Sequence, residues 1–195
     1  MNPSVLDFIC LHMARYGVGM IFFPRDIRLR EECRDIFNRA AEKLRLEILG
    51  YRKVPVNAEG IGPTALSVEP EMEQVFIACP DHISNPDDFE RKLFVLRNYA
   101  THTIRNTVKQ DAIGFYVASL SYKTIVYKGQ LTSLQLRHYF PDLINKRVVS
   151  AFGLDSFKIC NKYISFVETG AAIPFHCTQW RNKYLTGKLK LVKNK

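Results

Sequence analysis

Five cysteines and five histidines are the residues of this 195-residue chain with the widest chemical reach. A thiol becomes a nucleophile when a neighbouring base or cation holds it as thiolate, and both residue types can ligate metals. Cys10, Cys33, Cys79, Cys160 and Cys177 are odd in number and include no C-x-x-C pair, so their spacing signals neither a disulfide framework nor a zinc knuckle. They read as small buried hydrophobes. His12, His82, His102, His138 and His176 are equally scattered, with no two on one helix face at a ligand spacing. This pattern assigns no residue a catalytic, cofactor-binding or metal-binding role.

Charge is the next source of chemistry. The net charge of +9 would suit a polyanion, but it is unevenly placed. From Asp155 to the end, Lys158, Lys162, Arg181, Lys183, Lys188, Lys190, Lys193 and Lys195 face only Asp155 and Glu168, so this end carries most of the excess. The remainder is close to neutral. A basic end can bind phosphate, yet a solvated end is the plainer reading, and no nucleic-acid partner is expected. The longest apolar run, Met20 to Phe23 with its neighbours, falls short of the roughly 18 residues of a membrane span. No charged segment followed by an apolar one opens the chain, so the expectation is a soluble, cytoplasmic protein without a membrane partner.

The elements that would position any chemistry are legible over most of the chain, and 47% hydrophobic residues suffice for one sizeable core. Arg15 to Phe23 is apolar, aromatic and β-branched and stops at Pro24, which predicts a buried strand. Asp26 can cap a following helix, whose Leu29, Cys33, Ile36, Phe37, Ala40 and Leu44 recur on one face. Leu46 to Val56 reads as extended, broken by Gly50 and Pro55, and Asn57 to Pro70 as a loop. Glu73 to Cys79 is a second strand. Asn85-Pro86-Asp87-Asp88 starts a second long helix, with Asn85 as cap, Pro86 where its missing N–H costs nothing, and two acids meeting the helix dipole. Phe89, Leu93, Leu96, Ala100 and Ile104 form its buried stripe. Gly114 to Leu120 and Thr124 to Tyr127 read as a hairpin joined by Ser121-Tyr122-Lys123, and Ser133 as the cap of a short helix reaching Tyr139. The sum is a mixed α+β layer structure. From Asp155 onward neither helical stripe nor strand alternation is sustained, and an irregular tail is expected.

Several of these segments, in order, carry a resemblance. Tyr16-Gly17-Val18-Gly19-Met20-Ile21-Phe22-Phe23-Pro24-Arg25-Asp26 and Leu29-Arg30-Glu31-Glu32-Cys33 come first. Glu73-Gln74-Val75-Phe76-Ile77-Ala78, Phe89-Glu90-Arg91-Lys92-Leu93, Phe115 to Ser121, Thr124 to Gly129 and Tyr139-Phe140-Pro141-Asp142-Leu143 follow. Together they resemble the N-terminal glutaminase domain of the glutamate synthase large chain, a class II glutamine amidotransferase, over Arg15 to about Leu154. The resemblance implies an α+β fold similar to the N-terminal-nucleophile hydrolases, an αββα sandwich that would be incomplete here. In that family an N-terminal cysteine attacks the amide carbon of glutamine with its own α-amino group as base, and an Asn-Gly pair holds the oxyanion. The ammonia passes to a synthase region containing FMN and an iron–sulfur cluster, which aminates 2-oxoglutarate.

Here the chain departs from the family at both ends. Only Met1 to Ala14 precede the first strand, and Cys10 is neither terminal nor in the family's C-G-x-G setting. After Ser150 to Leu154 the family continues into H-S-R-F-x-T-N-T-F-P-S-W and later A-H-N-G-E-I-N-T, and neither is present. The resemblance therefore carries no catalytic, cofactor-binding or metal-binding residue onto this sequence.

The missing motifs can be recovered by asking what codons could encode Asp155 to Lys193 and reading them one base forward, which is the pattern expected of a slipped reading frame near Leu154–Asp155. The shifted frame permits I-H-S-R-F-A-T-N-T-F-P-S-W and then A-H-N-G-E-I-N-T. Trp180 is the sharpest test, because TGG before any arginine codon forces a glycine, and that glycine falls on the oxyanion Asn-Gly. Gln179 becomes the Asn if its codon is CAA and the next base is T. A weaker trace lies at the start, where Ile9 to Arg15 in a third frame can spell L-P-P-Y-G.

The domain expectation is thus a partial class II amidotransferase domain over 15–154 and an out-of-frame tail over 155–195. Alone, the chain is expected to be inactive, to hold no cofactor in this segment, and to belong with the remainder of a synthase chain whose substrate is glutamine. Truncation would leave sheet edges unpaired and the piece prone to aggregation. The alternative is a non-catalytic binding module that uses the basic end.

Overall fold

The structure, a computed structural model, describes residues 16–108, 114–129, 131–145, 153–157, 164–168 and 190–192. The chain divides into two compact units, Met1–Val54 with Ile61–Tyr122 and Pro55–Gly60 with Lys123–Lys195. Among the described residues no helix is long and apolar enough to cross a membrane.

The first unit contains β1 (Tyr16–Phe23), α1 (Ile27–Lys43), β2 (Ile48–Lys53), α2 (Pro63–Ser67), β3 (Glu71–Ala78), α3 (Pro86–Val108) and β4 (Tyr116–Ser121). Its antiparallel sheet has the order β2-β3-β1-β4. Side chains alternate between faces along a strand. In this register Gly17, Gly19, Ile21 and Phe23 share a face with Val75 and Ile77, under α1 and α3. Leu93 of α3 lies over Gly17, where an added Cβ would sit 2.6 Å from its Cδ1. The opposite face presents Met20, Met72, Gln74 and Phe76, which are also buried.

Both long helices begin as their caps dictate. Asp26 accepts from the Leu29 N–H at 3.0 Å, and Asn85 accepts from the Asp87 N–H at 3.0 Å. The stripes on α1 and α3 are buried as the three- and four-residue spacing requires. The end of α1 is less ordinary. Leu46 N–H reaches back to the Ala41 carbonyl and Arg45 N–H to that of Glu42, a Schellman closure with Arg45 at φ 55. A side chain in this left-handed region costs about 1–2 kcal/mol that glycine escapes. Arg45→Gly is therefore expected to raise unfolding free energy by about 1 kcal/mol, read as a higher urea midpoint at unchanged slope.

Other segments differ from the sequence reading. The loop Asn57 to Pro70 contains α2: Pro63 occupies its first turn, where no N–H is required, and Arg25 Nη1 closes its other end by donating to the Leu66 and Ser67 carbonyls at 2.9 and 2.8 Å. β3 begins two residues before Glu73. The expected hairpin does not form. β4 pairs with β1, whereas β5 (Ile125–Gly129) belongs to a different sheet. Residues 121–124 contain no Gly or Asn to supply the positive φ of a tight hairpin turn. Instead the Tyr122 N–H donates to Glu90 Oε2 at 3.1 Å and its ring contacts Phe89, so the chain leaves β4 pinned to α3.

The second unit contains β5, α4 (Ser133–Tyr139), a 3-10 turn (Pro141–Ile144), β6 (Gly153–Phe157), β7 (Ile164–Glu168) and β8 (Lys190–Val192), with antiparallel sheet order β5-β7-β6-β8. The cap of α4 is Thr132, one residue before Ser133, because Gln135 three residues on reciprocates in a capping box. Tyr127, Tyr139 and Phe140 stack edge to face, and Tyr127 Oη donates to Asp142 Oδ2 at 3.0 Å. The segment expected to be irregular thus contributes β7, β8 and most of β6 in its described residues. The trace proposed for Ile9 to Arg15 lies outside the described residues.

Candidate functional site

Of the five cysteines the described residues contain Cys33 and Cys79; Cys10, Cys160 and Cys177 lie outside them. Cys33 sits on the buried stripe of α1, fully enclosed between Ile36, Phe37 and the sheet. Burial first, and the neighbouring Glu32 carboxylate second, push its pKa up to about 11. A nucleophile needs the opposite shift. At pH 8 folded Cys33 is expected to react with a thiol reagent roughly a hundredfold more slowly than after unfolding in urea, which a timed alkylation read by mass spectrometry checks. Cys79, at the end of β3, is half-buried, with Sγ 3.8 Å from the Pro80 carbonyl.

His82 and His102 are exposed, and His138 Nε2 lies 3.1 Å from Asn57 Nδ2 in the second unit; His12 and His176 are outside the described residues. Among the described residues no group of three or more His, Cys, Asp or Glu side chains converges. An open cleft lined by His82, Ser84, Asn85, Asp88 and Lys92 marks the start of α3. Lys92 there turns toward the end of α1, with Nζ 3.5 Å from the Leu44 carbonyl.

Two polar constellations are built instead. On the helix-covered face, Arg34 of α1 pairs with Glu73 of β3 through Nη2 and Oε1, while Arg34 Nε and Glu73 Oε2 are buried without hydrogen-bond partners. The guanidinium carbon lies 5.2 Å from the Tyr51 ring centroid, and Tyr51 Oη donates to Asn38 Oδ1 at 2.7 Å. Burial raises the Tyr51 pKa far above its ordinary value, so the phenol stays a donor. Nearby, Lys53 Nζ hydrogen-bonds Glu71 at 2.9 Å and holds that carboxyl below its ordinary pKa. These contacts join α1 to β2 and β3, and their chemistry is cohesion.

On the other face Arg52 Nη1 donates to Gln74 Oε1 at 2.8 Å, and the register continues through Met20 to Ser119, with Ser121 two residues on. Gln74, Ser119 and Ser121 are all buried. A buried polar row is retained only when it is hydrogen-bonded, and it offers donors and acceptors but no thiol. The sequence placed Gln74 and Ser119 in strands and Ser121 in the connection after one, without singling any of them out; the structure extends that strand through Ser121. The period-two recurrence of Ser119 and Ser121 inside an apolar strand was the available signal.

A family model described as glutamine amidotransferases class-II matches residues 4–158, beginning ahead of Arg15 and ending four residues past Leu154. Over 140 residues the chain is 41% identical to the glutamate synthase (NADPH) large chain of Bacillus subtilis, covering 72% of this chain and 9% of that one. It is 39% identical over 138 residues to ferredoxin-dependent glutamate synthase 2, chloroplastic, of Arabidopsis thaliana, covering 71% and 8%. Against glutamate synthase (NADH) of Schizosaccharomyces pombe it is 41% identical over 144 residues, covering 71% and 7%. The chain therefore spans less than a tenth of the length of these relatives. Their names carry three different electron donors at nearly equal identity, so this segment does not distinguish the donors.

Proposed function

Because the chain belongs to the class II glutamine amidotransferases, we propose that it is a piece of the glutaminase domain of a glutamate synthase large chain and hydrolyses no glutamine by itself. In the parent enzyme the domain would release ammonia from glutamine for transfer to 2-oxoglutarate. The nucleophile would come from a terminal cysteine and the oxyanion hole from an Asn-Gly pair, and neither is written in this sequence. What supports the reading is the junction: the resemblance and the family match both stop within a few residues of Leu154, and the residues from Asp155 onward permit codons whose shifted frame would spell the family's motifs.

The fold assigned on this reading is part of an αββα sandwich, with 15–154 as the partial domain and 155–195 translated out of frame. Burial of both faces of the first sheet supports a layered arrangement. The family resemblance assigns the parent's iron–sulfur cluster and FMN to polypeptide outside this segment. The cytoplasm is the proposed location.

The test is a glutaminase assay on the purified chain. No ammonia above background is expected, with each cysteine-to-serine variant indistinguishable from the unsubstituted chain. Hydrolysis abolished by replacing any one of the five cysteines would overturn the reading.

A further inference from the structure

The last residue of α1 and the middle of α3 bring an amine and a phenol together at the surface of the first unit. Lys43 Nζ donates to Tyr99 Oη at 2.9 Å and lies 4.9 Å from the ring centroid, so the ammonium sits against the oxygen end of the ring. The helices beneath hold the two side chains in place, since Ala40, Leu96 and Ala100, each within one turn of the pair, belong to the buried core. Both groups are open to a reagent: Lys43 is exposed and Tyr99 is 36% exposed. The hydrogen bond from the ammonium is the largest influence on the phenol and holds it below its ordinary pKa. A phenol so placed is a better nucleophile near neutral pH than a tyrosine with no cation beside it.

We propose that Tyr99 and Lys43 form an acyl-transfer pair, in which the phenol takes the acyl group of a small activated ester and passes it to the amine. The glutaminase reading uses neither residue, and the pair stands independently of it. In the first step Tyr99 Oη bonds to the carbonyl carbon of the donor. The donor's leaving group departs with the electron pair of the broken bond, and the phenol proton passes to water. In the second step Lys43 Nζ, having lost one proton to water, attacks the ester carbon. The C–N bond forms, the C–Oη bond breaks, and a second proton from the nitrogen passes to the phenolate, leaving an amide on Lys43 and Tyr99 restored. An amine held 2.9 Å from the oxygen that carries the acyl group reaches a carbonyl carbon one bond further on, and groups held in this way react as if at concentrations that free solutes never attain.

The experiment treats the 195-residue chain with p-nitrophenyl acetate in mildly alkaline buffer and follows acetylation residue by residue by mass spectrometry, with the folding of each variant checked by circular dichroism. Hydroxylamine separates the two products, because it cleaves a phenyl ester and spares an amide. The unsubstituted chain is expected to carry hydroxylamine-resistant acetyl on Lys43. Tyr99→Phe keeps the ring beside the ammonium and removes only the oxygen; its Lys43 is expected to be acetylated about tenfold or more slowly. Lys43→Arg keeps a cation beside the oxygen and removes the accepting amine, so hydroxylamine-sensitive acetyl is expected to accumulate on Tyr99. Equal acetylation of Lys43 in Tyr99→Phe and in the unsubstituted chain would overturn the proposal, because the amine would then be reacting with the donor directly. A Lys43→Arg chain without an ester on Tyr99 would overturn it as well, because the phenol would not be the entry point.

Discussion

Leu93→Ala is expected to lower the unfolding free energy by about 2–5 kcal/mol, a large share of the roughly 5–15 kcal/mol that holds a typical domain together. Leu93 is fully buried on α3, and its Cδ1 fills the space left by the missing side chain of Gly17. The same contact makes the converse change costly. Gly17→Ala puts a Cβ 2.6 Å from that methyl, and overpacking of this kind costs about 1–3 kcal/mol. Because the atoms that Leu93→Ala removes are those the new Cβ would meet, the double variant is expected to lose less than the two single losses combined, by about 1 kcal/mol or more. Urea melts of the four proteins close the cycle. Strict additivity would mean that α3 does not rest on Gly17 in solution. Gly19 is a stricter position, since its Cβ would meet both Val75 Cγ1 and Leu120 Cδ1 under 3 Å, from two strands at once.

Arg34→Ala is expected to destabilise by about 2–4 kcal/mol. It leaves Glu73, whose side chain is 11% exposed, as a buried carboxylate with its partner gone, and it removes a guanidinium that packs on Tyr51 and Phe23. Arg34 is itself partly open to solvent, which keeps the figure below that of a fully enclosed pair. The paired replacement Arg34→Met with Glu73→Leu is expected to recover most of the loss, because the penalty belongs to the uncompensated charge more than to the absent attraction. A double variant as unstable as Arg34→Ala would indicate instead that the pair contributes net stability.

What could be read from the sequence follows from the range over which each signal acts. β1 and α1 are announced by an apolar run stopped at Pro24 and by Asp26 ahead of a regular stripe, all within one or two turns of chain. α3 is announced in the same way by Asn85, Pro86 and its own stripe. The pairing of β4 with β1 bridges about a hundred residues, and the lack of Gly or Asn between Ser121 and Thr124 argues against a tight turn without saying which sheet β5 will join. The Arg34–Glu73 pair is long-range too, so Glu73 reads locally as a polar residue in an apolar strand. In the tail, β6 and β7 have five residues each and β8 three, too short for alternation to emerge. Site residues were a different problem: the ordered blocks identified the family, while the family's catalytic motifs were absent from the protein sequence and would be supplied only by the proposed shift of reading frame.

Both the family's scaffold and its missing oxyanion pair therefore meet at one junction, and the nucleotide sequence encoding Ser150 to Lys195 tests it most directly. The expected result is an uninterrupted second frame, entered by a shift of one base near Leu154–Asp155, that reads H-S-R-F-A-T-N-T-F-P-S-W. Glycine must then stand where Trp180 is now translated, with asparagine before it. Stop codons or unrelated residues in that frame would contradict the account and make Asp155 to Lys195 a genuine tail of the protein.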